Sequence, residues 1–159
     1  MSLEFAIEDF QTYLLDAVPL WKEHYEEVTL SSLKNKREFA PAIDKYLILE
    51  REGNLFVFTA RDKETKDLKG YAIFICNNLM HYRHNIAAFN DALYFHPSVR
   101  KGLSAVKFMK WCEQQLGIIS QGRIEIVQWR SKIEHDFSKI LVSMGYAPDD
   151  IIYNKWIGK

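Results

Sequence analysis

The chain has 159 residues, of which 48% are hydrophobic and 14% aromatic, a composition that excludes intrinsic disorder and predicts one packed domain over residues 1–159. Its 21 basic residues are balanced by 21 acidic ones, so no basic excess favours binding to nucleic acid. We therefore expect a small molecule or a protein as the partner, and not a nucleic acid.

The sequence also predicts a cytoplasmic location without membrane association. No segment reaches the roughly 18 consecutive apolar residues of a membrane-spanning helix, and the N-terminal residues lack the basic start and apolar run of a signal peptide. Cys76 and Cys112 lie far apart within apolar patterns, a spacing that no metal site uses. We expect two buried thiols and no metal.

The first third of the chain is predicted to be mainly helical. Apolar residues over positions 3–28 recur every three or four residues, which predicts one helix or two helices that meet near Pro19. Residues 30–43 are predicted to form a connection with a short helix. Residues 46–54 are typical of a helix end or a strand that stops at Gly53.

The middle of the chain predicts an antiparallel hairpin. Residues 55–61 and 68–76 are rich in aromatic and branched side chains, and a polar turn separates them. Residues 77–90 are polar and predict a long loop with a short helical pattern near its end. A further strand is predicted over residues 93–96.

The last third alternates amphipathic helices with strands, and a glycine follows each helix. Together with the hairpin, this order predicts a mixed α/β fold. The predicted elements are helices over residues 103–116 and 135–144 and strands over residues 123–129 and 151–157.

The segment from Asp91 to Trp111 combines an apolar strand, a basic turn with one glycine and an amphipathic helix. A helix N-terminus presents free backbone N–H groups and the positive end of the helix dipole, and both attract anions. The turn is therefore a candidate phosphate-binding loop, whereas an ordinary turn with solvated basic residues is the alternative. The candidate residues are His96, Arg100, Lys101 and Gly102.

This segment resembles the acyl-CoA-binding segment of the GNAT N-acetyltransferases. The family pattern is Gln or Arg, two residues, Gly, one residue, then Gly or Ala, with a Pro three residues before the Arg. Pro97, Arg100 and Ala105 match that pattern, whereas Leu103 occupies the position of the middle glycine. Gly102 fits the pattern only when the register is shifted by one residue.

The resemblance covers roughly residues 44–159. Gly145-Tyr146 after an amphipathic helix is similar to the end of the family domain, and Leu68-Lys-Gly-Tyr-Ala is similar to its segment before the central strand. Short segments such as Asp91-Ala-Leu-Tyr also resemble acetyltransferase-like proteins of tailed bacteriophages.

The resemblance implies a splayed, largely antiparallel mixed sheet flanked by helices, with acetyl-CoA bound along the fourth strand. It also implies direct transfer of the acetyl group to a primary amine of a small molecule or a protein, without a metal. The residues that it places at the cofactor are Tyr94, Phe95, His96, Arg100, Lys101, Gly102, Leu103, Ser104 and Ala105.

Direct transfer requires a base for the incoming amine. Asp91, at the start of the strand beside the acyl site, is one candidate, and a solvent-facing cap is the alternative for this residue. Glu27, at the end of the first helical region, and Glu125, in a later strand, are the other candidates. For Glu27, the alternative is a solvated helix face.

The family's acid for the leaving group is often a Tyr four residues before the final glycine, and this chain has Leu141 there. Tyr153 and Tyr146 are the nearby substitutes, although either is also compatible with a packed aromatic side chain.

Three residues are candidates for contact with the amine. His24 lies on the same predicted helix face as Glu27, and His81 and Tyr82 lie in the predicted loop before the central strand. His81 and His84 lack a second pair of ligands at zinc-binding spacing, so we expect them to bind no metal.

A non-catalytic GNAT-like protein that serves as a binding module is the alternative function. The missing middle glycine and Leu141 support it. The sequence leaves the acceptor and the oligomeric state open, and a homodimer is among the options.

Overall fold

The computed structural model describes residues 2–29, 33, 36 and 38–157. Within these residues, five strands form one sheet, and helices pack on both of its faces. The elements in chain order are β1 (Leu3–Glu8), α1 (Phe10–Val28), α2 (Ile43–Arg51), β2 (Leu55–Asp62), β3 (Leu68–Leu79), β4 (Tyr82–Phe95), α3 (Ser104–Ile119), β5 (Ile124–Gln128) and α4 (Ser138–Ser143).

The strands follow one another across the sheet in the order of the chain. All neighbouring strands are antiparallel except β4 and β5, which are parallel. This parallel pairing extends along β4 only from Ile86 to Phe89. Residues 92–95 of β4 pair with β3 and not with β5, and Asp91 pairs with neither strand. The sheet therefore opens between β4 and β5, which confirms the predicted splayed, largely antiparallel sheet.

Two hydrophobic clusters hold the helices to the sheet. One cluster packs α1 against β2, β3 and β4, and the fully buried Phe10, Tyr13 and Tyr71 lie at its centre. The other packs α3 and α4 against the opposite face, with Phe108 fully buried there. Because aromatic side chains bury large apolar areas, they supply much of the burial on both faces.

A β-bulge interrupts β4 beside the opening of the sheet. Ile73 pairs with Ala92 and Phe74 pairs with Asn90, so Asp91 is left as the extra residue. The buried Asn90 side chain donates hydrogen bonds to the carbonyl oxygens of Ala92 (2.8 Å) and Ile73 (3.3 Å). Asn90 thus satisfies backbone acceptors that the bulge frees from the ladder.

We expect Asn90→Ala to lower the free energy of unfolding by about 2 kcal/mol, because buried carbonyl groups would lose their donor. Urea denaturation measures this change, and Asn78→Ala on β3, whose side chain is exposed, is the matched control. Equal stability of the two variants would contradict this role for Asn90.

The prediction of helix alone over residues 3–28 is wrong at its start, because Leu3–Glu8 forms β1 and pairs with β2. The alternation of apolar and polar residues in this short stretch was obscured by the longer helical pattern that follows. Asp9 caps α1 by accepting a hydrogen bond from the Thr12 backbone N–H (2.9 Å). Pro19 lies inside one continuous helix.

The predicted loop over residues 77–90 is also wrong, because Tyr82–Phe95 is one long strand. Polar residues at its start are exposed on the protruding hairpin, so their composition resembles that of a loop. The α3 helix continues through Gly117 to Ile119, and the chain instead turns at Gly122, which has a φ of 76°.

The predicted final strand over residues 151–157 is absent from the structure. Residues 146–157 have no regular secondary structure, and Ile151 and Tyr153 are 69% and 89% exposed. The helix before them is shorter than predicted and ends before Gly145, which has a φ of 97°. The expected short helix within residues 30–43 falls partly outside the described residues.

No helix in the described part of the chain combines the length and apolar character needed to cross a membrane.

Candidate active site

Asp91 occupies the bulge of β4 and borders two adjoining cavities. Its carboxylate accepts a hydrogen bond of 2.6 Å from the hydroxyl group of Tyr46 on α2. The bulge places Asp91 and the next residue, Ala92, at the same cavity, although strand residues normally alternate between faces. Asp91 is therefore the charged group on which both cavities converge.

The first cavity, which we call the aromatic pocket, has a volume of about 180 Å³. It lies between α1, the segment that leads into α2, and strands β3 and β4. Most of its wall is apolar. Its aromatic side chains are those of Trp21, Tyr25, Phe39, Tyr46 and Tyr71.

His24 borders the aromatic pocket and forms a hydrogen bond of 2.8 Å between its Nδ1 and the Tyr71 hydroxyl group. Burial lowers the pKa of His24 to about 4, against an opposing effect from Glu27. His24 is consequently neutral at pH 7, so Asp91 is the charged side chain among the residues that line this pocket.

The second cavity, which we call the cleft, has a volume of about 280 Å³ and continues along the same side of β3. Ile75, Asn77, Phe89, Asp91 and Arg130 line it. Arg130 is exposed and forms no ion pair with any described residue. The cleft thus carries one carboxylate and one guanidinium group.

Arg100 and Glu27, to which the sequence assigned separate roles, form a bidentate ion pair with two contacts of 2.6 Å. The Arg100 Nε also donates a hydrogen bond to the Phe95 carbonyl oxygen (2.6 Å). Hydrogen bonding to Arg100 lowers the pKa of Glu27, so the Glu27 carboxylate stays charged and paired. The pair connects the end of α1 to the end of β4.

The predicted cofactor loop joins β4 to α3. The backbone N–H groups of Ser104, Ala105 and Val106 make no hydrogen bond within the described residues, as expected for a helix N-terminus. Lys101 is exposed, and Gly102 has a φ of 80°, a conformation that favours glycine. The loop therefore presents free donors and one free cation.

The side chains of the other predicted cofactor residues differ in their surroundings. The Tyr94 hydroxyl donates to Glu23 (3.0 Å), and the side chain of Phe95 lies in the core on the opposite face. The His96 imidazole bonds to Ser98, whereas the Leu103 side chain is 66% exposed. For Tyr94 and Phe95, it is the backbone and not the side chain that faces the opening of the sheet.

Comparison with known proteins identifies the architecture. No protein-family model matches the sequence, and no curated protein matches it. An aminoglycoside acetyltransferase from an uncultured soil metagenomic sample, solved with sisomicin, is 12% identical with a TM-score of 0.69, and the match covers 99% of this chain and 97% of that one. A ribosomal-protein-alanine N-acetyltransferase from Brucella melitensis is 16% identical with a TM-score of 0.67, over 99% and 100% of the two chains.

The chain has the GNAT fold. A transcriptional regulator from Bacillus halodurans is also similar, with 9% identity, a TM-score of 0.70 and coverage of 98% and 100%. At such low identities, the similarity establishes the fold and not the reaction. The resemblance to bacteriophage proteins stays a prediction.

Within the GNAT fold, His81 and Tyr82 lie far from the candidate site. They lie at the tip of the hairpin between β3 and β4. Tyr82 is nine residues before Asp91 along β4. At about 3.3 Å per residue, this separation is roughly 30 Å. Their predicted role depended on a long loop that lines the acceptor pocket, whereas the structure has a long hairpin here.

The other candidate acids and bases form no hydrogen bond with Asp91 among the described residues. Tyr153 is 89% exposed in the irregular C-terminal segment. The Tyr146 hydroxyl donates to Glu113 (2.7 Å) and accepts from Trp129 (2.9 Å). Glu125 accepts a hydrogen bond from Asn85, close to the far end of the β4–β5 pairing.

Sequence reasoning missed Tyr46, Asn90 and Arg130. Tyr46 lies among apolar neighbours in a segment predicted as a helix end or a strand, but its partner Asp91 is 45 residues away. Arg130 directly follows the predicted strand over residues 123–129. Nothing in a single sequence indicated that Arg130 would line a cavity with Asp91.

No group of three or more His, Cys, Asp or Glu side chains suited to a metal ion occurs among the residues that the structure describes.

Proposed function

We propose that the protein is an N-acetyltransferase, one acyl-CoA N-acyltransferase domain that transfers the acetyl group of acetyl-CoA to a primary amine of a small molecule or a protein. The observation that supports this most is the continuity of the opening beside β4. Asp91–Phe95 is unpaired toward β5, free N–H groups follow at the start of α3, and Asp91 lies at the other end.

The residues present fit acetyl-CoA. The N–H groups of Ser104, Ala105 and Val106 and the Lys101 ammonium group are suited to phosphate oxygens. The free edge of β4 offers backbone groups for hydrogen bonds along an extended chain. The co-substrate supplies an activated acetyl group when it is bound.

Asp91 is the proton acceptor in this proposal. Its carboxylate attracts the positively charged amine and takes up the proton that the amine loses on acylation. Tyr46 orients the carboxylate through its hydroxyl group, and burial raises the pKa of that hydroxyl, so it remains a donor. In this proposal Glu27 is not the base. Its carboxylate is paired with Arg100 and stabilises the loop between β4 and α3.

Isothermal titration of the full chain with acetyl-CoA, followed by measurement of thiol release with a panel of amines, tests the proposal. We expect binding at micromolar to millimolar concentration and amine-dependent release of free thiol. Absence of binding at millimolar acetyl-CoA would refute it. Mass spectrometry of the amine products identifies the acceptor.

We expect Lys101→Ala to weaken acetyl-CoA binding about tenfold, equivalent to about 1.4 kcal/mol. Arg100→Ala is expected to have a smaller effect, because its guanidinium group is already bound to Glu27 and the Phe95 carbonyl oxygen. Lys139→Ala, on an exposed position of α4, is the control. A larger loss with Arg100→Ala would mean that the pair with Glu27 opens when the co-substrate binds.

A non-catalytic binding protein with the GNAT fold is the second candidate. The occupied Arg100 side chain favours it, because that guanidinium group has a protein partner instead of a phosphate. Similarity to a transcriptional regulator is compatible with it. Acetyl-CoA binding without thiol release against any amine would favour this second function.

A further inference from the structure

Asp91 and Arg130 line the same cavity at the opening of the sheet. Phe89 pairs with Gln128 at the last recorded position of the parallel β4–β5 ladder. Asp91 lies two residues further along β4, Arg130 lies two residues past the end of β5 at Gln128, and both line the cleft. No ion pair joins them, so two opposite charges border one cavity of about 280 Å³ without neutralising each other.

The aromatic pocket opens on the other side of Asp91. Its volume of about 180 Å³ is sufficient for a benzene ring, since a cavity of about 150 Å³ in another protein binds benzene. The neutral His24 and the aromatic walls make it suitable for an apolar group. The Asp91 carboxylate therefore borders both the cleft, which the Arg130 guanidinium group lines, and the apolar aromatic pocket.

We propose that the acceptor is an α-amino acid with an aromatic or large apolar side chain. Its ammonium group would lie at Asp91, its carboxylate at Arg130 and its side chain in the aromatic pocket. A guanidinium group presents paired N–H donors that match the two oxygens of a carboxylate. The inference rests on the proposed function and specifies its substrate class.

The reaction balances with these groups alone. The amine nitrogen forms a bond to the acetyl carbon, and the bond between that carbon and sulfur breaks. Of the two protons that the ammonium group loses, one goes to Asp91 and the other to the departing sulfur. The products are an N-acetyl amino acid and free CoA.

Arg130 favours this class over other amines. A lysine side chain in a protein, or an amine that lacks an acidic group, would leave the Arg130 guanidinium without a counter-charge in the cleft. An amino acid satisfies Asp91 and Arg130 together. The two cavities share Asp91 as a wall, which suits three groups that branch from one carbon atom.

Matched acceptors test the inference, because L-phenylalanine and phenethylamine differ only in the carboxylate. With the full chain, we expect kcat/KM to be at least tenfold higher for L-phenylalanine. Arg130→Gln is expected to raise KM for L-phenylalanine by about 10–100-fold, the range for a hydrogen bond to a charged group. The same variant should change kcat/KM for phenethylamine and KM for acetyl-CoA less than threefold.

Arg130→Lys should restore part of the affinity, and Arg83→Gln, at an exposed arginine near the hairpin tip, is the control. Equal loss for both acceptors, or a raised KM for acetyl-CoA, would overturn the inference, as would preference for phenethylamine or for a peptide N-terminus. If acetyl-CoA binds but no acceptor releases thiol, the proposed function fails by itself. Calorimetric binding of L-phenylalanine to wild type and Arg130→Gln then decides the inference, and absence of binding to wild type refutes it.

Discussion

Replacement of Asp91 by Asn is expected to lower kcat/KM for amine acetylation by about 10²–10⁴-fold, the range for loss of a positioned proton acceptor. The amide keeps the shape of the side chain and can still accept a hydrogen bond from Tyr46. It removes the negative charge and the capacity to take up a proton. Steady-state thiol release with saturating acetyl-CoA measures the effect.

Two further variants separate the role of Asp91 from a general loss of charge or structure. Glu52→Gln removes an exposed carboxylate at the end of α2 and should leave kcat/KM within twofold of wild type. Tyr46→Phe removes the hydrogen bond to Asp91 but keeps the carboxylate, so we expect an intermediate loss. An unchanged rate with Asp91→Asn, at unchanged acetyl-CoA affinity, would exclude Asp91 as the base.

Local patterns predicted much of the fold. The hairpin of β2 and β3 followed from aromatic and branched residues on both sides of a polar turn, and the structure confirms it. The α3 helix followed from apolar periodicity, with an end misplaced by a few residues because Gly117 is tolerated inside it. Such patterns are local, so a single sequence suffices to detect them.

The missed elements depend on tertiary structure. Leu3–Glu8 is a strand because the edge of β2 is available to pair with it. The start of β4 is polar because it forms an exposed hairpin, and its strand conformation is fixed by pairing with β3. Composition alone does not separate these residues from loop residues, since the hydrogen bonds involved connect distant positions.

The sequence predicted the main-chain donors of the candidate site and two of its side chains, Asp91 and His24. The free N–H groups at the start of α3 follow from the strand–turn–helix order of the sequence. The pairing of Glu27 with Arg100 joins residues 73 positions apart, a contact that a single sequence does not reveal. Asp91 and Arg130 are also far apart in the sequence. They line one cavity because the parallel pairing of β4 and β5 ends just before them, and the sequence does not show where it ends.

The partly buried His24 is expected to make stability depend on pH between about 6.5 and 4. Burial lowers the pKa of His24 from 6.5 to about 4 in the folded state. Between these values the unfolded chain binds a proton that the folded chain does not, so the free energy of unfolding decreases as the pH falls. The full loss from this residue is on the order of 3 kcal/mol, at about 1.4 kcal/mol for each pKa unit.

Charges on several elements act on His24 in addition to burial. Glu27 and Asp91 raise its pKa, whereas Lys132 and Arg100 lower it, and burial has the largest effect. The lowered pKa of Glu27 contributes stability that is lost only at lower pH, as that carboxylate becomes protonated. The window from pH 6.5 to about 4.5 therefore reports mainly on His24.

Urea denaturation of wild type and His24→Gln at pH 7.5, 6.5, 5.5 and 4.5 measures this dependence. Gln cannot titrate, and its amide can still form a hydrogen bond with the Tyr71 hydroxyl group, so the stability of the variant should change less over this window. His84→Gln, at an exposed position on β4, is the matched control and should retain the wild-type dependence. Parallel curves for wild type and His24→Gln would show that His24 is not held neutral by the fold.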